Sequence, residues 1–206
     1  VCWLNPSNDV MRSVNKIDTF RALRQLRVPI PEITSHSHVA QTWLDSGHCV
    51  LARTEVEGRD GSGLVVMTSP RQLVSAELYT LYEEKDAEFR VHVWGGVAFW
   101  GQIRVPIEDT ENKYYRPSPD RRIRTSSNGW TLNVYNRDMP AICKLTATEA
   151  IRALGLNFGA VDIGWKRGRA NSMERVTVYE TNTCPELSDR TCAAYVEQIR
   201  RILSNE

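Results

Sequence analysis

A chain of 206 residues, 41% hydrophobic and 25% charged, has enough apolar mass for one domain or two closely joined lobes. Its 26 basic residues nearly balance 25 acidic ones, and a net charge of +1 gives no global pull toward nucleic acid or a membrane surface. It has no apolar run of about 18 residues and no basic-then-apolar start, so neither a spanning helix nor a signal peptide is expected.

Val10, Val14, Ile17, Phe20, Leu23 and Leu26 recur every three or four residues. This predicts one helix, capped at Ser7 or Asp9 and stopped by Val-Pro-Ile-Pro at 28–31. A short helix ending near Gly47 follows, then strands over 48–54 and 64–67 around the glycine-rich loop 57–63. Ser69 before Pro70 reads as a helix start, and 77–82 as a strand. Alternation over 87–105 about Gly95-Gly96 predicts a β-hairpin. Residues 108–122 are polar and proline-containing, hence a loop, and 146–155 form a short helix. Two strands then pair around the basic loop 166–173, and Asp189 caps a last helix with Val196, Ile199 and Leu203 on its inner face. The order is α+β with mainly antiparallel pairing. It divides into a helical segment 1–30, a small lobe 31–84 and a larger lobe 85–206.

The end of the chain carries the most chemistry. Glu180 and Asn182 alternate on one face of the last strand, and Asp162 lies on its partner. Two carboxylates and an amide oxygen make a hard oxygen site suited to Mg²⁺, or else a satisfied polar cluster at a strand end. The amides of loop 57–63 can wrap a phosphate, yet the loop is neither GxxxxGK[ST] nor GxGxxG, so a plain hairpin tip is the simpler reading. Arg53 sits in an apolar strand and needs an anionic partner, which a phosphate can supply. Lys16 beside Ile17 reads as a phosphate contact or a solvated helix charge. His36 and His38 have no third ligand nearby and read as surface residues; the basic runs 120–124 and 166–169 read as solvated loops. Cys2, Cys49, Cys143, Cys184 and Cys192 are odd in number and widely spaced, which points to reduced thiols in a cytosolic compartment. The chain opens on Val1 rather than Met, as a processed or trimmed start would.

Four segments together resemble the ATP-grasp superfamily of carboxylate–amine ligases. "NKIDTFRALRQLRVPIPEIT" is similar to its lysine-bearing helix, and "VLARTEVEGRDGSGLVV" to its phosphate strand and glycine loop. "YTLYEEKDAEFRVHVWGG" is similar to its hinge and ribose-binding glutamate strand. "LGLNFGAVDIGW" with "VYETNTCPEL" is similar to its paired metal strands. The "EFRVHV" and "NGW" pieces resemble a compact subgroup often found in bacteriophage genomes. The resemblance implies an ATP-grasp fold of two α+β lobes with ATP between them, here without an additional N-terminal lobe.

It also implies roles. Lys16 and Arg53 would contact ATP phosphates under a loop containing Gly58, Gly61, Ser62 and Gly63. Leu81 and Tyr82 would hold the adenine edge, and Glu88 the ribose hydroxyls. Arg90, Arg104 and Arg124 would face the transferred phosphoryl group or acyl-phosphate. Asp162, Glu180 and Asn182 would hold one or two Mg²⁺ ions, with Mn²⁺ as an alternative, while His92, Asn128 and Glu186 line the substrate end. The implied reaction is ADP-forming ligation of a carboxylate to an amine on an amino acid or peptide, in the cytoplasm (of the host, if phage-encoded). No nucleic acid or membrane is implied, and a homo-oligomer stays open. Binding of ATP without turnover, or phosphotransfer to a hydroxyl, are the competing readings. Three departures stand out: arginine at 53 where many relatives have lysine, Asp60 in the phosphate loop, and Glu186 where glycine is common.

Overall fold

A computed structural model describes residues 5–55, 61–135, 137–170 and 172–204. The N-terminal periodicity forms two helices rather than one, α1 (Ser7–Val14) and α2 (Lys16–Gln25). The break is Asn15, whose backbone is extended and whose side chain accepts from the Ile17 and Asp18 amides. A helix cap inside the apolar repeat thus overrides its continuity. Lys16 becomes the first residue of a helix instead of an interior one.

Strand β1 (Ile33–Thr34) and helix α3 (Ser37–Asp45) follow, then β2 (Val50–Arg53), β3 (Leu64–Met67) and β4 (Leu78–Leu81). These strands form a sheet in the order β1-β4-β2-β3, with all pairs antiparallel. Ala40 and Leu44 of α3 pack on Val50, Ala52, Met67 and Tyr79. Alternation along β2 therefore turns Leu51 and Arg53 to the opposite face. The predicted helix after Ser69 is a single 3-10 turn, Pro70–Gln72, in which Gln72 Oε1 accepts from the Thr68 and Ser69 amides.

The second sheet has the order β7-β6-β5-β8-β9, again antiparallel, from β5 (Ala87–Trp94), β6 (Val97–Pro106), β7 (Trp130–Val134), β8 (Phe158–Lys166) and β9 (Arg175–Asn182). Gly95 and Gly96 turn the β5–β6 hairpin at φ 57° and 77°. Strand β7 had no separate sequence signal; it extends the sheet edge after the 108–129 insert. Helix α4 (Ala141–Ala153) begins five residues before the predicted start, after Pro140. It covers one face of the sheet. There Cys143, Ala147, Ala150 and Ile151 meet Phe89, Val91, Val161, Ile163 and Val178, joined by Phe20 and Leu23 of α2.

Helix α5 (Asp189–Ser204) covers one end of the opposite face. Its buried residues are Thr191, Tyr195 and Gln198, whereas Val196 and Leu203 are 42% and 56% exposed. Of the predicted face only Ile199 is half-buried; the inward contact is made instead by Tyr195, whose ring packs on His92, Trp94 and Phe99. Cys49, Cys143, Cys184 and Cys192 are free thiols. Among the described residues no helix is long and apolar enough to cross a membrane.

Candidate functional site

Pairing register places Gln102 of β6, Arg90 of β5, Asp162 of β8 and Glu180 of β9 in one row across the second sheet. The row lies on the face opposite α4. What brings Glu180 there is a break in alternation. Val176 and Val178 point into the core, so strict period two would bury Glu180 and Asn182 among them. An irregularity between Asp162/Ile163 and their partners leaves Val178 opposite Ile163 but Glu180 opposite Asp162. Tyr179 is the extra residue, and this bulge turns the strand's last acidic and amide side chains to the other face.

The charges along the row are closed on one another. Arg90 donates from Nε and Nη2 to the two Asp162 oxygens at 2.7 and 2.8 Å, a planar fork on a planar acceptor. Asp162 is 5% exposed. Burial works against its charge, but Arg90, with Arg104 behind it, brings the carboxyl below the ordinary range. Arg104 Nη2 lies 3.8 Å from Asp162 and its Nε 3.9 Å from Glu88. The Lys16 ammonium reaches across from α2 to 3.3 Å from Glu180. Arg53 extends from the first sheet toward the same carboxylate: desolvation lowers its pKa and the Glu180 charge opposes that. Its Nε and the Arg104 Nε are buried with no hydrogen-bond acceptor. Among the described residues Lys16, Arg53, Lys85, Arg90 and Arg104 thus gather around Glu88, Asp162 and Glu180.

Lys85 was not singled out by its sequence, which reads as a charged loop. Its ammonium is 2.7 Å from Glu88 and 4.4 Å from the centre of the Tyr179 ring, and it donates to the Arg122 carbonyl. Burial lowers its pKa, opposed by Glu88. Gly164, opposite Glu88 on β8, leaves the room that Tyr179 fills: a Cβ there would meet the ring at 2.6 and 2.7 Å.

Several expected residues have other work. The Leu81 and Tyr82 amides already donate to the carbonyls of Glu32 and Cys49, so neither amide can pair with an adenine edge. Arg124 donates to the carbonyls of Arg121, Lys85 and Asp86 and lies over the Trp130 ring. Asn128 donates to the carbonyls of Asp120 and Ile123. Asn128 thus closes the insert on itself, and Arg124 ties it to the chain linking the two sheets, beside Glu88. Ser62 donates to Glu55; Gly61 and Gly63 have φ of 78° and 67°, Gly61 beside Thr125 of the insert and Gly63 beside Thr54. Gly58 lies outside the described residues. Glu186 is exposed on the turn after β9.

His92 is fully buried, with its ring nitrogens 3.1 Å from the Tyr195 hydroxyl and 3.0 Å from Gln102 Oε1. Both nitrogens are committed, so it is a strut under α5 and not a substrate contact. Desolvation pushes its pKa down. An unfolded histidine takes a proton near pH 6.5, which the buried ring resists, so the fold loses stability as pH falls below that value. Denaturant titrations at pH 7 and pH 5 are expected to show wild type losing more stability than His92→Gln. Equal losses would count against this assignment.

The donor set also meets the requirements of a hard cation. Asp162, Glu180 and Asn182 share one face, and the Asn182 amide nitrogen is buried without a partner, as an amide turned the wrong way for a cation would be. Among the described residues no group of three or more His, Cys, Asp and Glu that could hold a metal ion gathers, here or elsewhere. Two open recesses of about 440 Å³ lie elsewhere, one under the insert between Pro106 and Trp130, the other between Arg24 and Ile33.

No sequence family and no curated protein matches the chain. Solved structures do. The D-alanine–D-alanine ligase of Bacillus anthracis superposes with a TM-score of 0.67 at 13% identity, over 93% of this chain and 64% of that one. The ATP-grasp ligase PsnB, bound to a minimal precursor, Mg and ADP, gives 0.60 at 14% over 92% and 59%. The macrocyclase MdnC of Microcystis aeruginosa, bound to its precursor peptide MdnA, gives 0.58 at 17% over 98% and 64%. The chain thus spans about three fifths of each of these proteins. Its two antiparallel sheets with flanking helices are the α+β fold of the ATP-grasp ligases.

Proposed function

We propose that the protein binds ATP where its two sheets meet and uses it to join a carboxylate to an amine, an amino acid or peptide supplying one or both. The observation that carries this reading is the pair of guanidinium groups beside the Gln102–Arg90–Asp162–Glu180 row, Arg53 and Arg104, whose buried Nε donors have no acceptor. Buried charged donors without acceptors are costly, and a polyphosphate satisfies them.

In this reading Lys16 and Arg53 bind phosphate oxygens from opposite sides. Glu88, held by Lys85 and Arg104, is an oriented acceptor for ribose hydroxyls. Arg90 and Arg104 stabilise charge on the transferred phosphoryl group. Asp162, Glu180 and Asn182 would hold Mg²⁺, which when bound neutralises phosphate charge. The substrate carboxylate attacks the γ-phosphate, giving ADP and an acyl-phosphate, and the amine then displaces phosphate to form the amide. Such chemistry rests on positioning and charge, and the free thiols have no part in it.

The test is incubation with ATP, Mg²⁺, a pool of amino acids and hydroxylamine. Hydroxamate together with ADP is the expected result. ADP without hydroxamate points to phosphotransfer or hydrolysis, and nucleotide binding without ADP to a binding module.

A further inference from the structure

Each carboxylate of the metal triad is already held by a cation of this chain. Asp162 gives both oxygens to the Arg90 fork, and Arg104 stands 3.8 Å behind it. Glu180 faces Lys16 at 3.3 Å and feels the charge of Arg53. Asn182 alone keeps an uncharged oxygen, and one amide does not hold a hard dication. A free metal ion entering here must displace the Arg90 guanidinium from its two-pronged acceptor, in a buried site with Arg104 3.8 Å from the same carboxylate.

We infer that the metal site is closed to free divalent cations and is opened by the nucleotide, which supplies replacement anions for Arg90 and Lys16. A phosphate accepts the same two-pronged donation as a carboxylate. Arg90 therefore exchanges Asp162 for a phosphoryl oxygen without losing its pairing. That exchange releases Asp162 toward the metal. Nucleotide and metal then bind together, with Arg90 as the positioning residue that couples them. This rests on the reading of the site as one for ATP and a divalent ion.

Mn²⁺ is the probe, since its free ion is counted directly by electron paramagnetic resonance. Without nucleotide, wild-type protein is expected to leave sub-millimolar Mn²⁺ free. Arg90→Gln is expected to bind Mn²⁺ alone at least tenfold more tightly, and adding Asp162→Asn to that variant removes the gain. Circular dichroism and a melting curve check that the variants fold. Should Arg90→Gln not fold, Arg90→Lys keeps a charge but loses the fork, and a smaller gain of about threefold is expected. Tight Mn²⁺ binding by wild type without nucleotide overturns the inference whatever the variants do, as does equal Mn²⁺ affinity in wild type and a folded variant. ADP titrated without metal separates the two levels: no ADP binding defeats the functional reading itself, whereas ADP binding alongside unchanged Mn²⁺ affinities defeats only this inference.

Discussion

Arg53→Met is expected to raise the melting temperature and to weaken ADP binding about a hundredfold. Arg53 ends β2, paired with Leu64 and Leu78, in a strand whose other face packs under α3. Its Nε is buried with no acceptor, and burial lowers its pKa against the opposing charge of Glu180. Methionine keeps much of the aliphatic volume and removes a desolvated charge whose Nε has no acceptor, so a gain of about 1 kcal/mol is expected. The same substitution removes a charge-assisted contact to phosphate worth about 1.5–3 kcal/mol. Melting curves and calorimetric titration with ADP read the two effects separately. A lower melting temperature with unchanged affinity would make Arg53 a structural residue.

Glu180→Gln is the second large effect. Turnover of ATP is expected to fall roughly a thousandfold while the protein stays folded. The Glu180 side chain is 37% exposed and glutamine is isosteric, so loss of its contact with Lys16 at 3.3 Å costs little stability. What the change removes is one of two carboxylates in the triad, and with it the charge a hard cation requires. ADP release and circular dichroism check both halves. Full activity in a folded variant would remove Glu180 from the metal site.

That Asp162, Glu180 and Asn182 share a face was legible because they fell at strand positions whose pairing order could be read. The reason they face away from α4 was not. Period two alone puts Glu180 with Val176 and Val178, and only the bulge at Tyr179 separates them. Arg53 was legible as a charge alternating with buried Val50 and Ala52. Lys16 was legible by type, but Asn15's cap, which makes it the first residue of α2, was hidden inside an unbroken apolar repeat. Lys85 escaped notice because local sequence cannot show that Tyr179 and the 108–129 insert bury it. Arg124 and Asn128 looked like substrate contacts for the same reason. Their partners are backbone carbonyls, which have no residue signature. The inward face of α5 was misread because its anchor is one amphipathic residue, Tyr195, whose ring packs on Trp94 and Phe99 while its hydroxyl meets His92, and a count of aliphatic positions does not register it.

In the proposed function the cations at the sheet junction serve a polyphosphate. Comparing the affinities of ADP and adenosine by calorimetry, at low and at moderate salt, tests it without knowledge of the acceptor. ADP is expected to bind at least a hundredfold more tightly than adenosine, with a preference that shrinks as salt rises. Equal affinities for the two, or no binding of either, would contradict the account.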